Sequence, residues 1–441
     1  MLRSLFLLIV GAFTPVLCSA ALSFEGTALP PVAVEPASAS GLAGIYVVND
    51  FTGCKIVYTT TSAAASSVTC ERYGLRGAAY PVPIEEADIV RQGNTVTISN
   101  ITENSGYAFT EGTRTVYYWV SSYATAPFNV QALAQSHDKT YCDRISLSPS
   151  GSAPRMIYYG VDGRLFTIDR KIAISYHTLA PGPDKDEPFF EPAEHNTELP
   201  YIDGNINLDA PLCDTQFFLT GDRFLESWNR AIEIASPTIP CKRVSILTSA
   251  VQHKETGESE VPTDEPLGGS APVEIQFRAA VTEAASYTRW QIATDPDFTN
   301  VVLYTPDLEF TQTFYDAGER YVKFDAADAS GTCGVESEVY TVSIGESSLL
   351  CPNAFSPGAT EGVNDLWKVS YKSIVKFDCY IFNRWGEKIA EFHDPAQGWD
   401  GKYRGKLVPA GVYYYVIKAT GADGKSYELS GDINILRYSG H

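Results

Sequence analysis

The stretch FNRWGEKI, residues 382–389, sets Arg384, Trp385 and Gly386 side by side, and GWDGKYRGK soon follows with Trp399, Asp400 and Gly401. A guanidinium beside an indole can stack on a flat ligand, hold an anion or brace a turn. Elsewhere the residue types that do chemistry are scattered. His137, His177, His195, His253, His393 and His441 stand far apart, and no HExxH, Walker loop, GxSxG or dinucleotide fingerprint occurs. Paired carboxylates of the glycosidase kind need only proximity in space, and spacing singles out no pair among 53 Asp and Glu. PGPDKDEPFFEPAEHNTELPYIDGNINLD, residues 181–209, gathers eight carboxylates and His195. A calcium loop alternates oxygen ligands around a tight glycine turn. Asp203-Gly204-Asn205 is only a fragment of one, so the segment reads as a solvated acidic insertion with little strand pattern. Tyr117-Tyr118-Trp119 and Tyr158-Tyr159 could stack on sugars, but side chains alternate along a strand and turn one of each adjacent pair inward. Core packing is the expectation for these aromatics. The chain shows no enzyme signature and calls for no cofactor or metal.

The elements that would position these residues are strands. GIYVVND, KIVYTTT, TVTISNI, RTVYYWVSSY, RMIYYGV, RLFTIDRK and KIAISYHTL are rich in Tyr, Val, Thr and Ile, and Gly, Pro, Asn, Asp and Ser clusters separate them. The class is all-β, a string of antiparallel β-sandwich domains of immunoglobulin-like kind. DRFLESWNRAIEIA, residues 222–235, is the one helix candidate, although its flanks also allow strands. Asp162-Gly163 marks a tight hairpin.

Residues 1–20 read as a secretory signal peptide, with Arg3 before the apolar run Leu5–Val10 and a small-residue end at Ala20. Cys18 raises a lipoprotein alternative, but Leu17 is large where such a site wants a small residue. Setting Cys18 aside leaves eight cysteines and no CxxC, which in an exported chain reads as disulfides rather than zinc or redox chemistry. Cys54 and Cys70 lie symmetrically about Ser62 and would face each other in a hairpin. Cys351 and Cys379, both in strands of the last domain, form a second candidate pair. The net charge of −20 lies upstream: from residue 351 onward eleven Lys and Arg meet ten Asp and Glu, against 22 and 43 before it. An acidic surface argues against nucleic acid as a partner.

Composition places an extended linker at 21–40 and β-rich domains at 41–134 and 135–251, the second carrying the acidic insertion 181–209. A polar Gly/Pro linker occupies 252–269. Residues 270–346 form a unit with an early SAPVEIQF strand, Trp290 on a central strand, and DAGERYVKFDAAD before Cys333. This unit resembles the PKD-type immunoglobulin-like modules of bacterial surface proteins, although WQIATDPD lacks their usual Gly-Asp-Gly turn.

The final domain, 349–441, is the most specific part. KFDCYIFN and EKIAEF read as two strands joined by a tight turn at Arg384-Trp385-Gly386, Pro409-Ala410-Gly411 launches VYYYVIKA, and Asp423-Gly424 turns it back. In order, PNAFSP, GVNDLW, IFNRWGEKI, GWDGKYRGK, PAGVYYYVI and GDINILR resemble the gliding-motility-associated C-terminal domain, the type B sorting domain of the Bacteroidota type IX secretion system. The residues that carry the resemblance are Asn353, Phe355, Asn364, Asp365, Asn383, Arg384, Trp385, Gly386, Trp399, Asp400, Gly401, Gly411, Tyr413 and Tyr414. Where relatives carry Asn-Gly-Asp-Gly, this chain reads Gly358-Ala359-Thr360-Glu361-Gly362. The resemblance implies carriage over the outer membrane by the type IX machinery, to the cell surface or the medium. For Trp385 and Trp399 themselves, packing and turn formation are expected. The reading is a non-enzymatic exported protein whose upstream sandwiches serve as stalk or adhesin toward an unknown surface, protein or glycan ligand. The alternative is a glycan-binding protein or cryptic glycan hydrolase using residues 41–260.

Overall fold

Runs of β-branched and aromatic residues bounded by turn formers fold as strands, because such side chains pack on a pleated, half-buried surface. The computed structural model describes residues 21–61, 64–136, 141–253, 267–358 and 364–436. Among them the one α-helix, Arg223–Ser227, has five residues. Asp222 caps it by accepting the Leu225 N–H at 3.1 Å. Asn229, at φ 54°, then turns the chain out and Glu233–Ala235 leaves as a strand, so the helix expected over 222–235 is a single capped turn.

The described chain divides into two units. One takes in residues up to His177 with Glu194–Asp209 and Thr215–Ile239; the other takes in Thr178–Ala193, Ala210–Asp214 and the chain from Pro240 onward. In the first unit a four-stranded sheet (Ala21–Glu25, Lys55–Thr59, Thr95–Ile98, Ile89–Gln92) packs on a six-stranded one running from Val32–Val34 to Val82–Pro83. Tyr58 stacks on Phe109 between them, ring centres 4.2 Å apart. Residues 21–40 are therefore not a free linker. Ala21–Glu25 pairs antiparallel with Lys55–Thr59, and Val32–Val34 with Gly44–Val48. Strands distant in sequence satisfy the backbone of a segment whose composition alone looks like a spacer.

The Cys54–Cys70 hairpin is also corrected. Lys55–Thr59 belongs to the four-stranded sheet and Val68–Tyr73 to the six-stranded one, so the connection crosses the sandwich instead of folding back in one sheet. Both cysteines are buried thiols in the core between the sheets. On strand Arg114–Ser122, Tyr118 faces this core, while Trp119 faces a second core shared with Met156, Tyr158, Ile174 and Phe217. That second core joins residues which composition assigns to two separate domains.

The acidic insertion is not one loop: residues 182–189 form a connection, but Phe190–Leu199 and Ile206–Asp209 are strands. Ile172–Pro181 and Phe190–Leu199 are ten residues each and neighbours in one sheet. From Ala193 to Leu199 half-buried and exposed positions alternate, but polar His195 and Thr197 stand between Ala193 and Leu199 in the half-buried set, which hides the period.

In the second unit, Ile246–His253, Val273–Val281 and Glu309–Phe314 form one sheet of a sandwich. The other contains Leu267–Gly269, Tyr340–Ile344, Gly318–Ala327, Tyr287–Ala293 and Val301–Thr305, with Gly334–Glu336 beside Gly318–Ala327. Trp290, Phe277 and Phe324 fill its centre. Past residue 346, a five-stranded sheet runs in the order Ala354–Phe355, Ser426–Ile435, Gly411–Gly421, Ile374–Phe382, Lys388–Phe392 and builds a core of its own. The signal peptide, most of the 252–269 linker and residues 359–363 lie outside the described residues.

Candidate functional site

The motif residues of the last domain fall into two groups, one inside and one outside. Trp399 is buried. It exchanges backbone hydrogen bonds with Trp367 at 2.9 and 3.0 Å, its indole N–H donates to the Lys402 carbonyl at 3.0 Å, and its ring lies 5.5 Å from Phe355 and 5.3 Å from Tyr413. Gly401 follows at φ 70°, and a Cβ there would come within 2.8 Å of Pro357 Cγ, so only glycine fits. Asp400 accepts the Lys402 N–H at 3.0 Å and faces its ammonium at 2.9 Å. Phe355 pairs in parallel with Ile435, and the Asn353 carbonyl accepts from Asn434 N–H at 2.8 Å. Asn364, at φ 53°, accepts from Ser356 N–H at 3.0 Å, and Asp365 accepts from Gly358 N–H at 2.9 Å. Tyr413 is buried with its hydroxyl on the Pro409 carbonyl at 3.0 Å. Gly411 adopts φ 147° at the start of that strand.

The other group is exposed. The Asn383 side chain accepts from the Trp385 and Glu387 N–H groups at 3.0 Å each, its carbonyl accepts from Gly386 N–H, and Gly386 supplies φ 81°. The Tyr403 hydroxyl donates to Glu387 at 2.9 Å and ties the corner to the neighbouring turn. This framework presents Trp385 to water at 75% exposure, with the Arg384 guanidinium 4.2 Å from the centre of its ring. Packing, expected for both tryptophans, holds for Trp399 alone. A hollow of about 290 Å³ lies beside the corner, lined among others by Trp385, Ile389, Tyr403 and Val412. Tyr414 is 46% exposed.

Cys351 and Cys379, the second candidate disulfide, are thiols here. Burial pushes the Cys379 thiol up to about 12, and Cys351 is raised by burial while hydrogen-bonded with Tyr415. Burial likewise raises Cys54 and Cys70 to about 11. Such thiols are inert neutral groups rather than nucleophiles. Cys142 and Cys333 are each in a disulfide and do not titrate. Among the described residues no cluster of His, Cys, Asp and Glu could hold a metal.

Sequence reasoning missed one charged constellation. Arg170 and Asp222 are both fully buried and joined through Nε and Nη2. Arg170 Nη1 also donates to the Ala126 and Pro154 carbonyls at 2.8 and 2.9 Å, the Tyr123 hydroxyl donates to Asp222 at 3.3 Å, and the Tyr123 ring centre is 5.4 Å from the guanidinium. Fifty-two positions separate the pair, and no spacing rule links them. The carboxylate also caps the short helix, so its acceptor sites are occupied by the protein itself.

This is an all-β chain of sandwich domains whose polar groups mostly serve the fold. A family model for the CHU_C type IX secretion signal domain matches residues 349–435, and a fibronectin type III domain model matches 134–236. No curated protein sequence matches the chain. Among solved structures, the tetra-tandem repeat in the extending region of a large adhesion protein is 12% identical, covering 95% of this chain and 100% of its own at a TM-score of 0.21. A Ca2+-stabilized adhesin that helps an Antarctic bacterium reach out and bind ice is 10% identical over 87% and 94%, at 0.19. Dimeric latent PorU from Porphyromonas gingivalis is 9% identical over 70% and 33%, at 0.17. The C-terminal domain is a type IX secretion signal domain, and the protein is exported to the cell surface or the extracellular space. Among the described residues no helix is long and apolar enough to cross a membrane.

Proposed function

We propose that the protein is a non-enzymatic surface or secreted protein in which the upstream sandwiches act as stalk and adhesive surface. The observation that carries this reading is the secretion signal domain closing a chain of β-sandwiches. The type IX machinery is the partner of the C-terminal domain, and the exposed Arg384–Trp385 corner is the surface assigned to it. A large aromatic left in water beside an unburied cation is the kind of anchor that interfaces favour.

The test is a fusion of residues 349–441 to a reporter behind a signal peptide, expressed in a cell with a type IX system. Reporter at the surface or in the medium is expected, and reporter held in the periplasm would sink the reading. A polysaccharide hydrolysis screen of the whole exported chain tests its non-enzymatic part. Hydrolysis abolished by a single carboxylate substitution would overturn it.

A further inference from the structure

The sandwich of the second unit that holds strand Tyr287–Ala293 carries a cluster on its outward side that sorting leaves unused. On strand Tyr287–Ala293 alternation sends Trp290 and Ile292 into the core, so Tyr287, Arg289 and Gln291 share the opposite side. Register then sets Gln291 between Tyr304 and Lys323, Arg289 beside Asp325, and Asp325 beside Glu336. Tyr287 is 61% exposed and Tyr304 57%. The Arg289 guanidinium stands 5.3 Å from the Tyr304 ring centre and donates to Asp325 Oδ2 at 2.9 Å; Gln291 donates to the same oxygen. Lys323 pairs with Glu336 at 2.9 Å. Asp325 Oδ1 is buried and accepts no hydrogen bond among the described residues, with the Lys323 ammonium 3.7 Å away. A depression of about 600 Å³, lined by Tyr287, Arg289, Asp325 and Glu336 among others, opens at the Tyr287 end of this face, with Tyr304 outside its lining. That volume falls within the range of small-ligand sites.

The chemistry of the face narrows its occupant. Two cations alternate with two carboxylates, so the charges cancel and no field gathers a polyanion. What remains is a rigid array of paired donors and acceptors flanked by two flat rings. A pyranose complements both features: its C–H face covers an aromatic ring, and its neighbouring hydroxyls donate and accept together. Tyr287 and Tyr304 are four residues and one strand apart, about 14 Å by strand geometry. That spacing suits a chain of sugar units better than a single one.

We propose that this face binds a neutral polysaccharide, with Tyr287 and Tyr304 as stacking platforms and Arg289, Gln291 and Asp325 pairing with hydroxyls. The proposal rests on the exported reading, because it names the ligand of the adhesive surface.

The test is affinity electrophoresis of the purified full chain in gels containing a β-glucan, a xylan, a mannan or polygalacturonate. Retardation by at least one neutral polysaccharide is expected. Tyr287→Ala and Tyr304→Ala should each weaken it about fivefold to tenfold, with unchanged thermal melting because both rings are exposed. Asp325→Asn should also weaken it, and Tyr304→Phe should retain it. The proposal is overturned by no retardation in any neutral gel, by retardation in polygalacturonate alone, or by retardation that survives the double Tyr→Ala substitution. A reporter fusion that fails to leave the periplasm would instead overturn the export reading, and binding by the purified chain would be unaffected.

Discussion

Arg170 and Arg384 each lie against an aromatic ring, yet one is sealed in the first unit and the other stands in water on the C-terminal domain. Arg170 has Asp222, two backbone carbonyls and the Tyr123 ring around it, and no part of its side chain reaches solvent. Arg384 covers one face of a Trp385 ring that is three-quarters exposed. The same residue types thus serve opposite ends. A buried charge must be saturated by its surroundings and has nothing left for a partner, whereas an exposed pair held by a rigid turn keeps its free face for one.

The largest test of that contrast is Asp222→Ala, which leaves the Arg170 charge buried without its partner. It should cost about 3–5 kcal/mol, read as a lowered urea midpoint, while Arg170→Met with Asp222→Leu should recover much of the loss. A cost below about 1 kcal/mol would dissolve the contrast. Trp399→Ala comes next, at about 3 kcal/mol or more for removing a buried indole, checked by thermal melting of the C-terminal domain.

Smaller is the effect of pH on the same domain. Burial raises the Cys379 thiol from about 9 to about 12, so the folded state holds its proton where the unfolded chain releases it. The stability this supplies is complete below pH 9 and is lost as pH rises toward 12. The loss amounts to about 1.4 kcal/mol by pH 10, measured as the pH dependence of urea midpoints against a Cys379→Ala variant that lacks the thiol's contribution. Trp385→Ala should have the smallest effect on folding, within about 0.5 kcal/mol, but should lower export of the fusion. A destabilisation matching that of Trp399→Ala would erase the difference between the two tryptophans.

How much was legible depended on how local the cause was. In KFDCYIF the alternation of Phe377, Cys379 and Ile381 against their neighbours is a two-residue period, and the strand shows the same inward set. The corner at Gly386 was legible too, because a positive φ needs glycine wherever the chain lies. The strand Phe190–Leu199 was not, since polar His195 and Thr197 share its half-buried positions with Ala193 and Leu199 and break the apolar period. Nor was the strand character of 21–40, whose partners come from Gly44–Val48 and Lys55–Thr59. Cys54 and Cys70 misled for a related reason: symmetry about a turn suggests a hairpin, but which sheet each strand joins is decided by other strands.

The sequence by itself determined the β class, the order of motifs in the last domain and the export they imply, because these follow from side-chain period, turn chemistry and short ordered patterns. Only the tertiary structure decided which of two Trp-Gly neighbourhoods is core and which is surface, that Arg170 and Asp222 meet, and that Tyr287 and Tyr304 share one outward face. Burial and charge pairing depend on which distant strands close over a residue, and no local pattern carries that information.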